Sequence, residues 1–146
     1  MKNVKIKKFN KVDSNDYWMG LTFLLAAKSA NGHAAIVVEN SSIIGVGIEN
    51  PPLVCDVNDH YIPAELFAVN SCKKEVTNAT IFLTKTPNYN SAMTILSVSG
   101  LRKIVYFSTE PLNKTVSDLF SGLFGEIDEF KGNLNWIYDY MESLDL

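Results

Sequence analysis

The sequence is poor in cysteine and histidine, and it lacks any long apolar run. Cys55 and Cys72 are its two cysteines, too few for a framework of disulfide bonds. No apolar stretch approaches the roughly 18 residues that a membrane-spanning helix needs, and residues 1–8 are basic without the apolar centre of a signal peptide. We therefore expect a cytoplasmic protein with reduced thiols and no membrane association.

A large excess of positive charge is also missing. The formal net charge is -3 at pH 7, which argues against general nucleic-acid binding, because that binding depends on clustered Lys and Arg. The charges are nevertheless uneven, with basic residues over 1–12 and acidic residues toward the carboxyl end. The residues concerned are Lys2, Lys5, Lys7, Lys8 and Lys11, and Glu126, Asp128, Glu129, Asp139, Glu142 and Asp145. They predict two solvated faces, or alternatively head-to-tail pairing of copies or a basic partner for the acidic end.

The first half of the sequence predicts a helix, a hairpin and a second helix. Cap-type residues and apolar spacing indicate a helix over residues 13–32. Two short runs rich in β-branched residues follow, joined by Asn40, Ser41 and Ser42, which is typical of a hairpin. After a loop with two prolines, a helix is expected to begin at Pro63.

The second half predicts alternating strands and helices. A strand, a helix and a strand between residues 79 and 108 imply a parallel crossover. A short helix, a possible edge strand over 126–130 and an acidic helix over 132–146 complete the chain. We expect a single domain over residues 1–146, folded as a three-layer α/β/α sandwich. Its mixed sheet of about five strands would start with an antiparallel hairpin.

Several segments carry a resemblance to a known family. The segment YWMGLTFLLAAKSANGHAAIVVENSSIIGVGIENPP runs from Tyr17 to Pro52, and IPAELFAV, ATIFLTKTPNYNSAM and GLRKIVYF follow in order. In order and spacing these segments resemble the cytidine deaminase superfamily, and within it most of all the deoxycytidylate (dCMP) deaminases. The resemblance covers residues 13–108 and implies the cytidine deaminase-like sandwich fold.

The resemblance also implies where a catalytic zinc would lie. The family's His ligand falls at Pro63, its two Cys ligands fall at Asn88 and Ser91, and its proton-carrying Glu falls at Glu65. Zinc binds thiolate, imidazole or carboxylate, which none of the three ligand positions offers. A general base alone recovers about 10²- to 10⁴-fold and does not replace the metal. We therefore expect no zinc cofactor and no zinc-dependent deamination, with Glu65 as a relic.

A polar pocket over the former zinc site is the second expectation from the resemblance. The family's substrate-contacting Asn falls at Glu49, where a carboxylate would repel a phosphate, although a shift of one position would bring Asn50 there. The expected pocket residues are Glu49, Asn50, Glu65, Asn88, Tyr89 and Asn90. Such residues equally suit the starts of helices, so a purely structural role remains the alternative.

Two further groups of residues have a structural and a functional interpretation. A loop supplies Cys55, Asp56, Asp59 and His60 within six residues, with His33 as the only other histidine. These residues are either a weak pattern of metal ligands or part of a polar loop that binds no metal. In the last helix we expect Trp136 and Tyr140 to pack on the sheet and Tyr138 to face elsewhere, with a partner contact as the alternative.

These observations lead to three functional hypotheses. The first is a catalytically inactive, zinc-free deaminase-like protein that binds a protein partner or a second copy, in a regulatory or inhibitory role. Its size and its Asn, Lys and Ile content are compatible with a viral origin. The second is a nucleotide- or base-binding sensor. The third is an enzyme with chemistry that needs no zinc, or a residual deaminase with a rearranged metal site.

Overall fold

The structure, a computed structural model, describes residues 14–50, 62–123 and 125–144, except for the side chains of Tyr138, Met141 and Leu144. The helices are α1 (Ser14–Ala26), α2 (Ala64–Asn70), α3 (Tyr89–Leu96), α4 (Lys114–Gly122) and α5 (Asn135–Leu144). The strands are β1 (Ala34–Glu39), β2 (Ser42–Ile48), β3 (Ala79–Leu83), β4 (Leu101–Tyr106) and β5 (Glu126–Glu129). In the described part of the chain, no helix combines the length and apolar character needed to span a membrane.

The five strands form one mixed sheet in the order β2-β1-β3-β4-β5. Strand β1 is antiparallel to both β2 and β3, whereas β3, β4 and β5 are parallel. Asn40 and Ser41 adopt positive φ angles of 52° and 62°, as a tight hairpin turn with the twist of the sheet requires. The predicted starting hairpin, the parallel crossover and the edge strand near residue 126 are therefore confirmed.

Helices cover both faces of the sheet, because successive residues of β1 point to opposite sides. Ala35 and Val37 pack into the larger core, to which α2, α3 and α4 contribute. Ile36 and Val38 pack into a smaller core on the other face, where Met19 of α1 is fully buried. The predicted three-layer α/β/α sandwich is confirmed.

The end of the first helix and the packing of the last one differ from the predictions. Helix α1 ends at Ala26 rather than near residue 32, because the segment up to Gly32 turns toward the start of β1. Trp136 does not pack on the sheet. Its ring stacks on Tyr17 of α1, and its indole N–H donates to the carbonyl oxygen of Asp16 at 2.9 Å. The predicted packing of Trp136 on the sheet is therefore wrong, whereas Tyr140 is 39% exposed.

Helix α2 lies directly against the backbone of β2 at two glycines. A Cβ atom on Gly47 would lie 2.1 Å from the carbonyl oxygen of Ala64, and one on Gly45 would lie 2.4 Å from that of Ala68. No residue other than glycine fits such distances without a shift of the helix. These contacts place the first turn of α2 beside the end of β2.

The outer edge of β2 is covered by the turn after α2. The hydroxyl of Ser71 donates to the carbonyl oxygen of Val46 and accepts from its amide, both at 2.9 Å. The amide of Lys73 donates to the carbonyl oxygen of Ile44 at 3.1 Å. Backbone groups that another strand would need are therefore already occupied.

Candidate functional site

The start of β1, the end of β2 and the first turn of α2 bring three ionisable side chains together. His33 immediately precedes β1, and Glu49 immediately follows β2. The β1–β2 register pairs Ala34 with Ile48, and the ladder continues as a hydrogen bond of 3.0 Å from the amide of Glu49 to the carbonyl oxygen of His33. Helix α2 adds Glu65 from its first turn. Nitrogen and carboxylate oxygen atoms of the three side chains all lie within 4.8 Å of one another.

The imidazole of His33 is buried and bound at both nitrogens. Only 1% of the residue is exposed, against 3% for Glu65. Its Nε2 lies 3.0 Å from Oε1 of Glu65, and its Nδ1 lies 2.8 Å from Oγ1 of Thr84, the residue after β3. The hydroxyl of Thr84 also accepts from the amide of Ala34 at 3.0 Å. The ring is thus held in one orientation by the sheet.

Glu65 is held as a carboxylate inside the protein. Burial is the largest influence and raises its pKa, but the hydrogen bond and the charge of His33, together with a hydrogen bond from Ser91, outweigh it. The net effect lowers the pKa of Glu65 below its usual value. His33 and Ser91, which stabilise the anion, also fill the hydrogen-bonding positions around it. On these sides Glu65 therefore does not face an open, water-filled space.

Glu49 lies at the rim of this group. Its Oε2 accepts a hydrogen bond from the side-chain amide of Asn31 and lies 3.5 Å from Nζ of Lys85. The next residue, Asn50, points its side-chain oxygen to the amide of Ala30 at 2.9 Å. Asn50 is therefore engaged with backbone, and Glu49 is the member of the pair that reaches the polar cluster.

The positions that hold zinc in the resembled family have other roles in this chain. Pro63 precedes α2 and has no side-chain donor atom. Asn88 caps α3, its Oδ1 accepting from the amide of Ser91 at 2.9 Å. Ser91 is buried and bonds to Glu65. Neither a thiolate nor an imidazole is available at these three positions, so the residues present do not fit the family's zinc.

The predicted pocket residues are therefore only partly assembled. Glu49 and Glu65 come together, and Asn88 is linked to Glu65 through Ser91. Tyr89 and Asn90 lie on the exposed first turn of α3. The predicted metal loop, Cys55, Asp56, Asp59 and His60, lies outside the described residues.

His33 was not among the predicted site residues, although it makes the central contacts. The signal for it was weak, because a lone histidine before an apolar strand has no motif. Its partners Glu65 and Thr84 are 32 and 51 residues away in the sequence. The sheet order, which places the end of β3 beside the start of β1, brings Thr84 into reach, and the packing of α2 on β2 brings Glu65 there.

A separate cleft of about 640 Å³ lies between α1 and β5. Acidic side chains are prominent among its lining residues, which are Asn15, Asp16, Val105, Ile127, Asp128, Glu129, Phe130, Lys131 and Gly132. None of the predicted pocket residues lines it. The acidic carboxyl-terminal region therefore contributes a surface distinct from the His33 cluster.

Comparison with known proteins gives structural matches only. No protein-family model matches the sequence, and no curated protein matches it significantly. The dCMP deaminase of the cyanophage S-TIM5, solved with dCMP and dUMP, matches with a TM-score of 0.68 at 20% identity, over 80% of this chain and 96% of that chain. A tRNA:A34 deaminase matches with a TM-score of 0.60 at 17% identity, over 82% and 100%.

A third match is RibD from Acinetobacter baumannii, with a TM-score of 0.59 at 18% identity, over 78% of this chain and 34% of that chain. Identities this low establish the fold and nothing finer. The chain has the fold of the cytidine deaminase-like superfamily, and the resemblance first indicated by its sequence is confirmed at that level.

Proposed function

We propose that this chain is a catalytically inactive deaminase-like protein, of viral origin, that acts by binding a protein partner or a second copy of itself. The observation that carries the proposal is the state of the former zinc site. Asn88 caps a helix, Ser91 bonds to Glu65, and Glu65 is paired with His33 inside the protein. Each group that deamination would need is absent or engaged elsewhere.

The remaining carboxylate is poorly suited to deaminate alone. Glu65 is buried beside His33, with a lowered pKa, which makes it a weak base. Without a metal, the pKa of water returns from about 7 to 15.7, so hydroxide is scarce at neutral pH. A regulatory or inhibitory role requires neither a basic carboxylate nor a metal.

Exposed apolar side chains on the two helices that carry Glu65 and Ser91 favour binding. Helices α2 and α3 contact each other, and both expose large apolar side chains. Phe67 is 39% exposed and Tyr89 is 50% exposed, with Leu66 and Met93 in the same range. Aromatic residues and Met are enriched in protein interfaces, and exposed apolar groups of this kind commonly mark them. We define these four residues as the α2–α3 face.

An activity assay and two binding measurements test the proposal. In a deamination assay with dCMP and added Zn²⁺, we expect no turnover above the uncatalysed rate. Turnover that disappears in Glu65→Gln would overturn the assignment as inactive. Light scattering and affinity capture measure the second part, and we expect self-association or a specific bound protein.

The α2–α3 face provides a matched pair of variants for the binding measurement. Phe67→Glu should abolish the association, because a charge would have to be buried in the interface. Leu123→Glu introduces the same charge at a residue that is 55% exposed outside that face, and it should leave the association intact. A monomer that captures nothing, or equal effects of the two variants, contradicts the proposal.

A nucleotide- or base-binding sensor is the second candidate. It is favoured by a partly exposed cation, Lys85, which follows β3, and an exposed aromatic ring, Tyr89, in the first turn of α3. A cation and a ring suit a phosphate and a base, respectively. A thermal shift series with dCMP and dUMP tests this function, since a ligand at 100 times its Kd adds about 2.7 kcal/mol of stability. No shift with any nucleotide would exclude it.

A further inference from the structure

We propose that His33, Glu49 and Glu65 bind one divalent transition-metal cation, of the class of Zn²⁺ or Mn²⁺. Imidazole and carboxylate are the ligands that these ions share. The three ligand atoms lie within 4.8 Å of one another. Ligand atoms around tetrahedral zinc lie about 3.4 Å apart, so side-chain movements of about 1 Å complete the site. None of the three residues occupies a ligand position of the resembled family.

The second contact of His33 prepares it for this role. Its Nδ1 lies 2.8 Å from the hydroxyl of Thr84, which the amide of Ala34 also holds in place. Histidines that bind metal commonly donate their other ring N–H to a fixed acceptor, which orients the ring and selects the free nitrogen. The nitrogen that remains for a metal is Nε2, which lies 3.0 Å from Oε1 of Glu65 and would exchange that hydrogen bond for the metal.

The charges of the cluster also favour a cation. Two carboxylates, Glu49 and Glu65, lie within 4.8 Å in a largely buried site. Lys85 stands 3.5 Å from Glu49, but its side chain is partly exposed and screened by solvent. A cation bound among the three side chains would relieve the repulsion between the two carboxylates.

Cation binding at this site does not restore the deaminase mechanism. Glu65 as a ligand cannot also carry the proton that the family's Glu transfers. The inference is therefore independent of the proposed function and is measured without turnover. A bound cation would link the sheet to α2 through side chains from three separate elements.

The test uses the full chain, stripped of metal with a chelator and then titrated with Zn²⁺ and Mn²⁺. We expect one equivalent to bind, with a rise in Tm, and Co²⁺ as a probe should give visible ligand-field absorption. Glu49→Gln should weaken binding at least about 10-fold, and Thr84→Val should weaken it about 10- to 100-fold by releasing the ring. His33→Ala should abolish binding, but Glu49→Gln carries the test because Glu49 is the least buried ligand.

Two control variants separate this site from others. Glu39→Gln alters a buried carboxylate outside the cluster and should leave the metal-induced rise in Tm intact. A Cys55→Ser/His60→Ala double variant removes the alternative ligands predicted in the loop and should also retain binding. The inference is overturned if neither ion binds to the wild-type chain, if Glu49→Gln binds as tightly as wild type, or if the loop variant loses the metal.

Discussion

The side-chain oxygen of Asn88 lies 2.9 Å from the amide nitrogen of Ser91, across the first turn of α3. The resemblance of the sequence assigns both residues to positions where the family has cysteine ligands of zinc. Here their contact satisfies one of the amide groups that the start of a helix leaves without a partner. In this chain the side chain of Asn88 therefore has a structural role at the start of α3.

Replacement of this cap should cost stability without affecting any ligand. Asn88→Ala is expected to lower the free energy of unfolding by about 1 kcal/mol, within the range of about 0.5 to 2 for lost N-caps. Asn88→Asp should retain the cap. Asn90→Ala, in the exposed first turn beside it, is the matched control and should change little. Urea unfolding measures the difference, and equal effects at positions 88 and 90 would argue against the capping role.

Removal of His33 should lower the free energy of unfolding, because Glu65 then remains buried without its main partner. His33→Ala leaves a buried carboxylate without its main partner, so we expect a loss of about 3 to 5 kcal/mol in the free energy of unfolding. Adding Glu65→Gln removes the charge and should recover part of that loss. A double-mutant cycle by urea unfolding in the presence of a chelator measures the coupling. Additive effects of the two changes would show that the pair does not interact.

Glu39 should make stability depend on pH in the acid range. Hydrogen bonds from the amide of Asn78 and from the hydroxyl and amide of Thr77 outweigh burial and, with Lys74, lower its pKa from 4.5 to about 2. Because the folded pKa is the lower one, the contribution to stability is complete above pH 4.5 and is lost as the pH falls toward 2.

The Glu39→Gln variant tests this dependence directly. It should have a lower Tm than wild type at pH 7, and the difference should shrink as the pH falls through the same window. Glu75→Gln removes an exposed carboxylate two residues before Thr77 and serves as the control. Thermal unfolding between pH 2 and 7 gives both curves. A constant difference across this range would contradict the assignment.

Ser71 should protect the edge of the sheet. Its hydroxyl is the partner of both backbone groups of Val46, so Ser71→Ala is expected to cost about 1 to 2 kcal/mol of unfolding free energy. It should also make the chain more prone to self-association, because an open strand edge accepts another strand. Ser97→Ala, which removes an exposed serine hydroxyl at the end of α3, is the control. Light scattering after mild heating distinguishes the two variants.

The strands and their succession along the chain could be predicted because the signals were local. Runs rich in β-branched residues, a hairpin turn at Asn40 and Ser41, and a strand-helix-strand succession each depend on neighbouring residues. Helix ends were less predictable. Residues 27–32 have helix-compatible composition, but hydrogen bonds of Ser29 and Ala30 to Glu49 and Asn50 hold that segment as a turn.

Helix faces and the centre of the site could not be predicted for a different reason. Leu66 is exposed, because the contact with β2 is made by Ala64 and Ala68 on another face of α2. Trp136 packs against α1, a contact 120 residues distant in the sequence. His33 became central through the sheet register and not through any motif. Glu65 was predicted from the resemblance, but its pairing with His33 was not.

The two glycines of β2 determine how close Glu65 lies to Glu49 in the polar cluster. At Gly45 and Gly47 the helix backbone touches the strand backbone, so a side chain there would act as a spacer and lift Glu65 away from Glu49. A methyl group at position 47 would disturb the cluster without touching any of its polar atoms. Among distant relatives, a Gly-x-Gly at the end of the second strand would therefore signal a preserved cluster even where every zinc ligand has gone. Bulky residues at these positions would indicate a cluster in which the two carboxylates lie farther apart.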